Sequence, residues 1–246
     1  MFDYEVKLAT SLDDIEKALK LRFEIFKLEL GKGLTRNFEK QLDVDDYDGF
    51  CDHLIVIDRS KDKVVGTYRL CMSSKVDKNI GFYSEKFFDI ANIKKIDGKM
   101  LELGRSCVHR DYRDQLVINL LWSGIAKYIR EHEVRYLFGS VRLNDNDPQE
   151  VSKIFSLIKQ KYYALKKYRV EPWVNNRFPG LDKNIKLRDQ SEILRKLPPL
   201  VKGYLRLGVR VCGEPAVNPE MGSVLLCILL DLEKMAPAYR RHFFGI

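Results

Sequence analysis

The chain of 246 residues has no C-x-x-C spacing, and its five cysteines, at 51, 71, 107, 212 and 227, are scattered and odd in number. That argues against a disulfide framework or a zinc ribbon and fits a reducing, cytoplasmic compartment. No run approaches eighteen uninterrupted apolar residues, and the start, MFDYEVKLATSLDD, has neither a basic leader nor a long apolar stretch. A cleaved export signal and a membrane span are therefore not expected. The histidines at 53, 132 and 242 do not stand in metal spacing with carboxylates, so no metal is expected. Internal repeats, low-complexity tracts and Gly/Ser/Pro-rich linkers are also missing, which predicts one domain over residues 1–246.

What the chain does have is 45% hydrophobic residues, enough for a real core, and a formal charge of +8 that is unevenly placed. Residues 1–50 hold 12 acidic against 8 basic side chains, whereas residues 151–200 hold 12 basic against 4 acidic. The basic block, with KQKYYALKKYR inside it, could meet nucleic acid, anionic lipid headgroups or an acidic protein. A solvated helix face is the plain alternative.

Periodicity gives the order of elements. DYEVKLA alternates as a strand, and residues 11–30 space Leu12, Ile15, Leu19, Phe23 and Phe26 at helical intervals behind a Ser11 cap, with Gly31 and Gly33 as stops. LIVIDRSKDKVVGTYRLCM reads as a hairpin turning at 59–63, and KMLELGRSCV as a further strand. An apolar helix follows over about 115–131, with Leu116, Leu120, Leu121, Ile125, Tyr128 and Ile129 on its broad buried face, then the strand VRYLFGSVRL. Helices are predicted over 148–166 and in PPLVKGYLRLG, ended by Gly208, and VRVCGEPAV and SVLLCILLDL close the chain as strands. The class is α/β or α+β, a mixed central sheet with helices on both faces and a helical insertion at about 146–200.

LRFEIF, the acidic DVDDYD before DHLIV, VVGTYRL, FYSEKFFD, LELGRSCV, LLWSGIAKYI and PLVKGYLRLGVRVCGEPAVN occur in this order across most of the chain. Together they resemble the GNAT superfamily of N-acyltransferases, and within it the long-chain branch of ornithine-lipid N-acyltransferases, N-acyl amino acid synthases and, further off, acyl-homoserine-lactone synthases. The resemblance implies an enzyme that joins an acyl thioester to an amine, with no metal or redox cofactor. It also implies that the strand holding residues 104–108 splays from a neighbour, so that backbone amides near Ser106, Cys107 and Val108 receive the thioester and its oxyanion.

Glu102 is the expected general base, because an amine with a pKa near 8 must lose a proton before it attacks, and a carboxylate between Leu101 and Leu103 is placed to have a raised pKa. A structural pair with Arg105 is the competing role. Asp45, Asp46 and Asp48 lie in one short loop that offers counter-charges to a cationic substrate; the resemblance favours Asp45 and Asp48, which match acidic residues of the family, and a solvated turn is the other reading of Asp46. Arg69 and Arg105 match arginines that would hold a substrate carboxylate, or else would neutralise the acidic loop. Arg22 reads as a packing or ion-pair residue. Tyr204, in YLRLGV, matches a tyrosine that sits near the leaving thiolate in simpler acetyltransferases, with core packing as its other reading.

The loop HRDYRD departs from the acetyltransferase pattern: no glycine stands between Ser106 and Gly124 to wrap a pyrophosphate, and Arg110 and Arg113 take its place. The donor expected is therefore phosphopantetheine on acyl carrier protein, an acidic partner, in preference to acyl-coenzyme A. Cys107 and His109 lack a third orienting group and are read as inert rather than as a nucleophile and base. The acceptor implied is an amino acid such as ornithine. An acyl-homoserine-lactone synthase, an acetyl-coenzyme A enzyme, and a basic protein binding membrane surface or nucleic acid on the same fold are the alternatives, with association at the inner membrane face left open.

Overall fold

The structure is a computed structural model that describes residues 3–32, 38–76, 78–187 and 189–244. Gly33, an expected helix stop, lies outside the described residues. In chain order the elements are β1 (Tyr4–Leu8), α1 (Leu12–Arg22), β2 (Asp52–Asp58), β3 (Lys63–Met72), α2 (Ser73–Val76), β4 (Phe88–Asp89), α3 (Ala91–Lys94), β5 (Lys99–Val108), α4 (Leu116–His132), β6 (Val134–Arg142), α5 (Pro148–Lys161), β7 (Glu171–Pro172), α6 (Gln190–Lys196), α7 (Pro199–Leu207), β8 (Arg210–Val211), β9 (Ala216–Asn218), β10 (Ser223–Asp231) and α8 (Pro237–Phe244). They fall into two compact units, Met1–Gly81 with Lys99–Val134 and Phe82–Gly98 with Arg135–Ile246. The chain alternates between the two units, neither of them a continuous segment. No helix among the described residues is long and apolar enough to cross a membrane.

In the first unit β1, β2, β3 and β5 pair antiparallel in that order. The Ser11 hydroxyl accepts from the Asp14 amide at 3.1 Å and starts α1, as expected. After Arg22 the winding loosens into a π-helix over Phe23–Glu29. Ala18, Leu21 and Ile25 of this helical stretch pack on Ile55, Ile57, Val64 and Cys107, one face of the sheet. Leu54 points to the opposite face, where α4 lies so close that a Cβ on Gly124 would sit 2.8 Å from it and one on Gly66 would sit 2.6 Å from Val117. Two glycines therefore set the helix-to-sheet distance, and helices cover both faces.

In the second unit β10 pairs antiparallel with β6, β8 and β9. Leu226 and Val224 of the sheet, Val151, Ile154 and Leu157 of α5, Ile193 of α6 and Val201 of α7 share its core. Asp147 caps α5, accepting from the amides of Gln149 and Glu150 at 3.0 Å each. The predicted helix over 148–166 stops at Lys161, because the chain then runs beside β8, with the Ala164 amide bonded to the Val211 carbonyl at 2.9 Å. Gly208, at φ +103, ends α7.

Candidate active site

One face of the first unit's sheet collects the chemistry. Cys71 stands opposite Glu102 and Arg69 opposite Gly104, so Glu102, Gly104, Arg69 and Cys71 share a side. Glu102 is buried, at 4% exposure. Two residues on, a Cβ at Gly104 would meet no atom within 4 Å, so the face is open beside the buried carboxylate. The Cys71 thiol touches that of Cys51, a contact that, with burial, pushes its pKa far up and makes it a poor nucleophile.

Three arginines and three aspartates interlock on this side. Arg22 donates from Nε and Nη2 to Asp43 Oδ1 at 3.0 and 2.7 Å, and from Nη1 to Asp48 Oδ1 at 2.7 Å. Arg69 Nη1 donates to Asp45 Oδ1 and, at 2.8 Å, to Asp48 Oδ1. Arg105 Nη2 reaches Asp45 Oδ2 at 2.9 Å. Within the acidic turn the Asp45 amide bonds to Asp48 and the Tyr47 amide to Asp45, at 2.8 and 3.0 Å. Burial acts to raise the Asp45 carboxyl, but Arg69 and Arg105 outweigh it and hold it below the usual range. Burial is likewise overcome at Asp48, where Arg22 and Arg69 hold the carboxyl well below the ordinary value.

The four residues expected to hold substrate, Asp45, Asp48, Arg69 and Arg105, are therefore brought together but hold one another. Arg22, expected to pack or pair, is fully buried and ties two of the aspartates. Asp43 and His53 were missed. A signal for Asp43 existed in its alternation with Asp45; His53 alternates with Ile55 toward the same face. The His53 Nε2 lies 3.3 Å from the Asp48 carbonyl, its Nδ1 has no hydrogen-bond partner among the described residues, and burial pushes the imidazole pKa down.

Beside Arg69 the ladder slips. Thr67 pairs with Cys107 and Arg69 with Gly104, so Arg105 and Ser106 together face Tyr68 in a β-bulge. Arg105 has φ +48, a left-handed conformation that costs a non-glycine residue about 1–2 kcal/mol. Its guanidinium is the compensation: besides Asp45, it lies 3.6 Å from Asp43 and over the Phe26 ring at 5.9 Å. Strain of this kind persists where surrounding contacts over-determine it, as at functional sites.

Past the bulge, burial pushes the Cys107 thiol up to about 12, which removes it as a nucleophile at neutral pH. His109 is paired instead with Glu24, at 3.0 Å, and Lys63, at 2.7 Å. Arg113 is bidentate to Glu29 at 2.7 and 2.8 Å and bonds the Val108 carbonyl at 3.2 Å, whereas Arg110 is exposed. Tyr204 lies on α7 of the second unit, half-buried against its core. Among the described residues no His, Cys, Asp and Glu group could hold a metal ion.

Residues 21–123 match the acetyltransferase (GNAT) domain. The chain is 32% identical over 248 residues to an L-ornithine N(alpha)-acyltransferase of Brucella abortus, covering 97% of this chain and 88% of that one. It is 30% identical over 247 residues to the enzyme of that name in Rhodobacter capsulatus, covering 98% and 94%. Among solved structures it resembles an N-acyl amino acid synthase from uncultured soil microbes, with a TM-score of 0.55 at 9% identity over 97% of this chain and 98% of that one. It also resembles a CoA-dependent acyl-homoserine lactone synthase, with a TM-score of 0.53 at 15% identity over 93% and 83%. At these identities the structural likeness is one of fold.

Proposed function

The chain belongs to the L-ornithine N(alpha)-acyltransferase family of GNAT-fold enzymes, and from that premise we propose that it moves a long acyl chain, plain or 3-hydroxylated, from acyl carrier protein to the α-amine of ornithine. The observation that carries this reading is the buried Glu102 beside the open face at Gly104, next to the strained bulge at Arg105. The enzyme is an N-acyltransferase; donor, chain and acceptor are the proposal.

Glu102 takes the proton of the attacking amine, directly or through water. The amine nitrogen bonds to the thioester carbonyl carbon, the oxyanion is held by backbone N–H groups near Ser106, Cys107 and Val108, and collapse breaks the C–S bond to release a thiolate, which takes up the proton held by Glu102 and leaves as the thiol. One such donor contributes about 3 kcal/mol to lowering the barrier. The paired Asp45, Asp48, Arg69 and Arg105 supply alternating charge, which complements an amino acid bearing both ammonium and carboxylate groups. One fold neighbour is coenzyme A-dependent, so the fold does not select the donor. The preference for a carrier protein comes from the glycine-free loop after Ser106, with Arg110 exposed on it.

The test offers ornithine to the purified protein with acyl carrier protein or coenzyme A as the acyl carrier and reads products by mass spectrometry. N-acyl-ornithine from the carrier-bound donor is expected, with Glu102→Gln slower by about 10²–10⁴-fold. Exclusive use of acetyl-coenzyme A would remove the long-chain reading, and an unimpaired Glu102→Gln enzyme would remove the base.

A further inference from the structure

Within the second unit, the segment LKKYRVEPWVNNR, residues 165–177, carries four cations against Glu171 alone. Tyr163 and Ala164 lie along Val211 of β8, and Val170 rejoins that line by bonding to the Cys212 carbonyl at 2.9 Å. Residues 165–169 are thus an excursion held at both ends. Tyr168 is its buried anchor, packed at 6.2 Å on Tyr136, while Leu165 is turned outward at 59% exposure.

The same surface continues to Trp173. Asn92 of α3 bonds the Arg169 carbonyl at 2.9 Å, Lys94 of α3 reaches the Glu85 carboxylate at 3.2 Å, and the Trp173 indole N–H donates to the Glu85 carbonyl at 2.7 Å. That last bond fixes the indole while leaving Trp173 46% exposed beside Val174 at 74%. Lys166, Lys167 and Arg169 are exposed, and none has a carboxylate partner among the described residues. Lys167 and Arg169 lie instead over the rings of Tyr168 and Tyr163, at 4.8 and 4.6 Å. A solvated basic face needs no outward Leu, Trp and Val; leucine, valine and an indole held by its N–H, set among these cations, have the make-up of a membrane-interface patch.

We infer that Leu165, Lys166, Lys167, Arg169, Trp173 and Val174 form a docking surface for an anionic lipid bilayer, the cations meeting headgroups while leucine, valine and the indole enter the interface. Charge complementarity argues for that occupant. Attraction of about 1 kcal/mol per cation near such a surface corresponds to about 5-fold in binding each.

The test is co-sedimentation of the full chain with phosphatidylglycerol-rich vesicles and with pure phosphatidylcholine vesicles, at low and high salt. Binding to the former alone is expected, weakened by salt. Lys166→Gln, Lys167→Gln and Arg169→Gln together should reduce it by about 100-fold. A second variant, Leu165→Ser with Val174→Ser, should weaken it at unchanged thermal unfolding. Glu102→Gln should bind vesicles like the parent, which separates this surface from the reaction. Equal binding to both vesicles, indifference to the triple change, or capture of acidic carrier protein by this patch with no vesicle binding would each overturn the inference.

Discussion

Arg22 and Asp43 face each other with no solvent at either side chain, Nε and Nη2 of the arginine both donating to a single aspartate oxygen. Such a pair is held less for what it adds than for what its removal leaves behind. Asp43→Ala strands a buried guanidinium with Asp48 as its remaining carboxylate, and loss of one partner of a buried pair costs about 3–5 kcal/mol. Urea unfolding should show that loss, and acyl transfer should fall with it because Arg105 also leans on Asp43.

The left-handed backbone at Arg105 is measurable by comparing two substitutions. Arg105→Ala and Arg105→Gly both delete the guanidinium, but only alanine keeps a Cβ at φ +48. The glycine protein should be the more stable of the two by about 1–2 kcal/mol. Equal unfolding midpoints would mean that the bulge relaxes once the arginine is gone.

Titration should pull stability down in two windows. His53 has its folded pKa lowered by burial, so below about 6.5 the unfolded chain binds a proton that the folded chain refuses, and stability drops as pH falls from there. Asp45 and Asp48 are also depressed, so their contribution is complete above about 4 and is lost as pH drops through their folded values. Replacing His53 with Gln should flatten the slope between about pH 6.5 and 5 and leave the acid limb in place.

How far sequence reading reaches is shown by where it stopped. Ser11, the spacing of α1 and the hairpin of β2 and β3 are local signals, and the structure keeps them. The end of α5 at Lys161 falls short of the predicted 166 because the bond that diverts the chain, from the Ala164 amide to the Val211 carbonyl, joins residues far apart in sequence. The site shows the same division. Asp45, Asp48, Arg69 and Arg105 stand out by residue type, yet the bonds from these arginines to these aspartates span 21 to 60 positions, and no local pattern encodes a left-handed arginine in the middle of a strand.

Gly104 separates the fold from the reaction. Its φ is not among the positive ones, and a Cβ there meets open space, so Gly104→Ala should fold and unfold like the parent. A leucine at the same place projects onto the face shared by Glu102 and Arg69, where the amine and thioester are proposed to meet. Gly104→Leu should therefore keep its unfolding free energy within about 0.5 kcal/mol, as a substitution outside the core does, while acyl transfer to ornithine drops by about 100-fold or more, the scale of loss when reacting groups are misplaced by about 1 Å. Steady-state kinetics beside urea titration decides it: full activity in the leucine protein would move the reaction off this face of the strand.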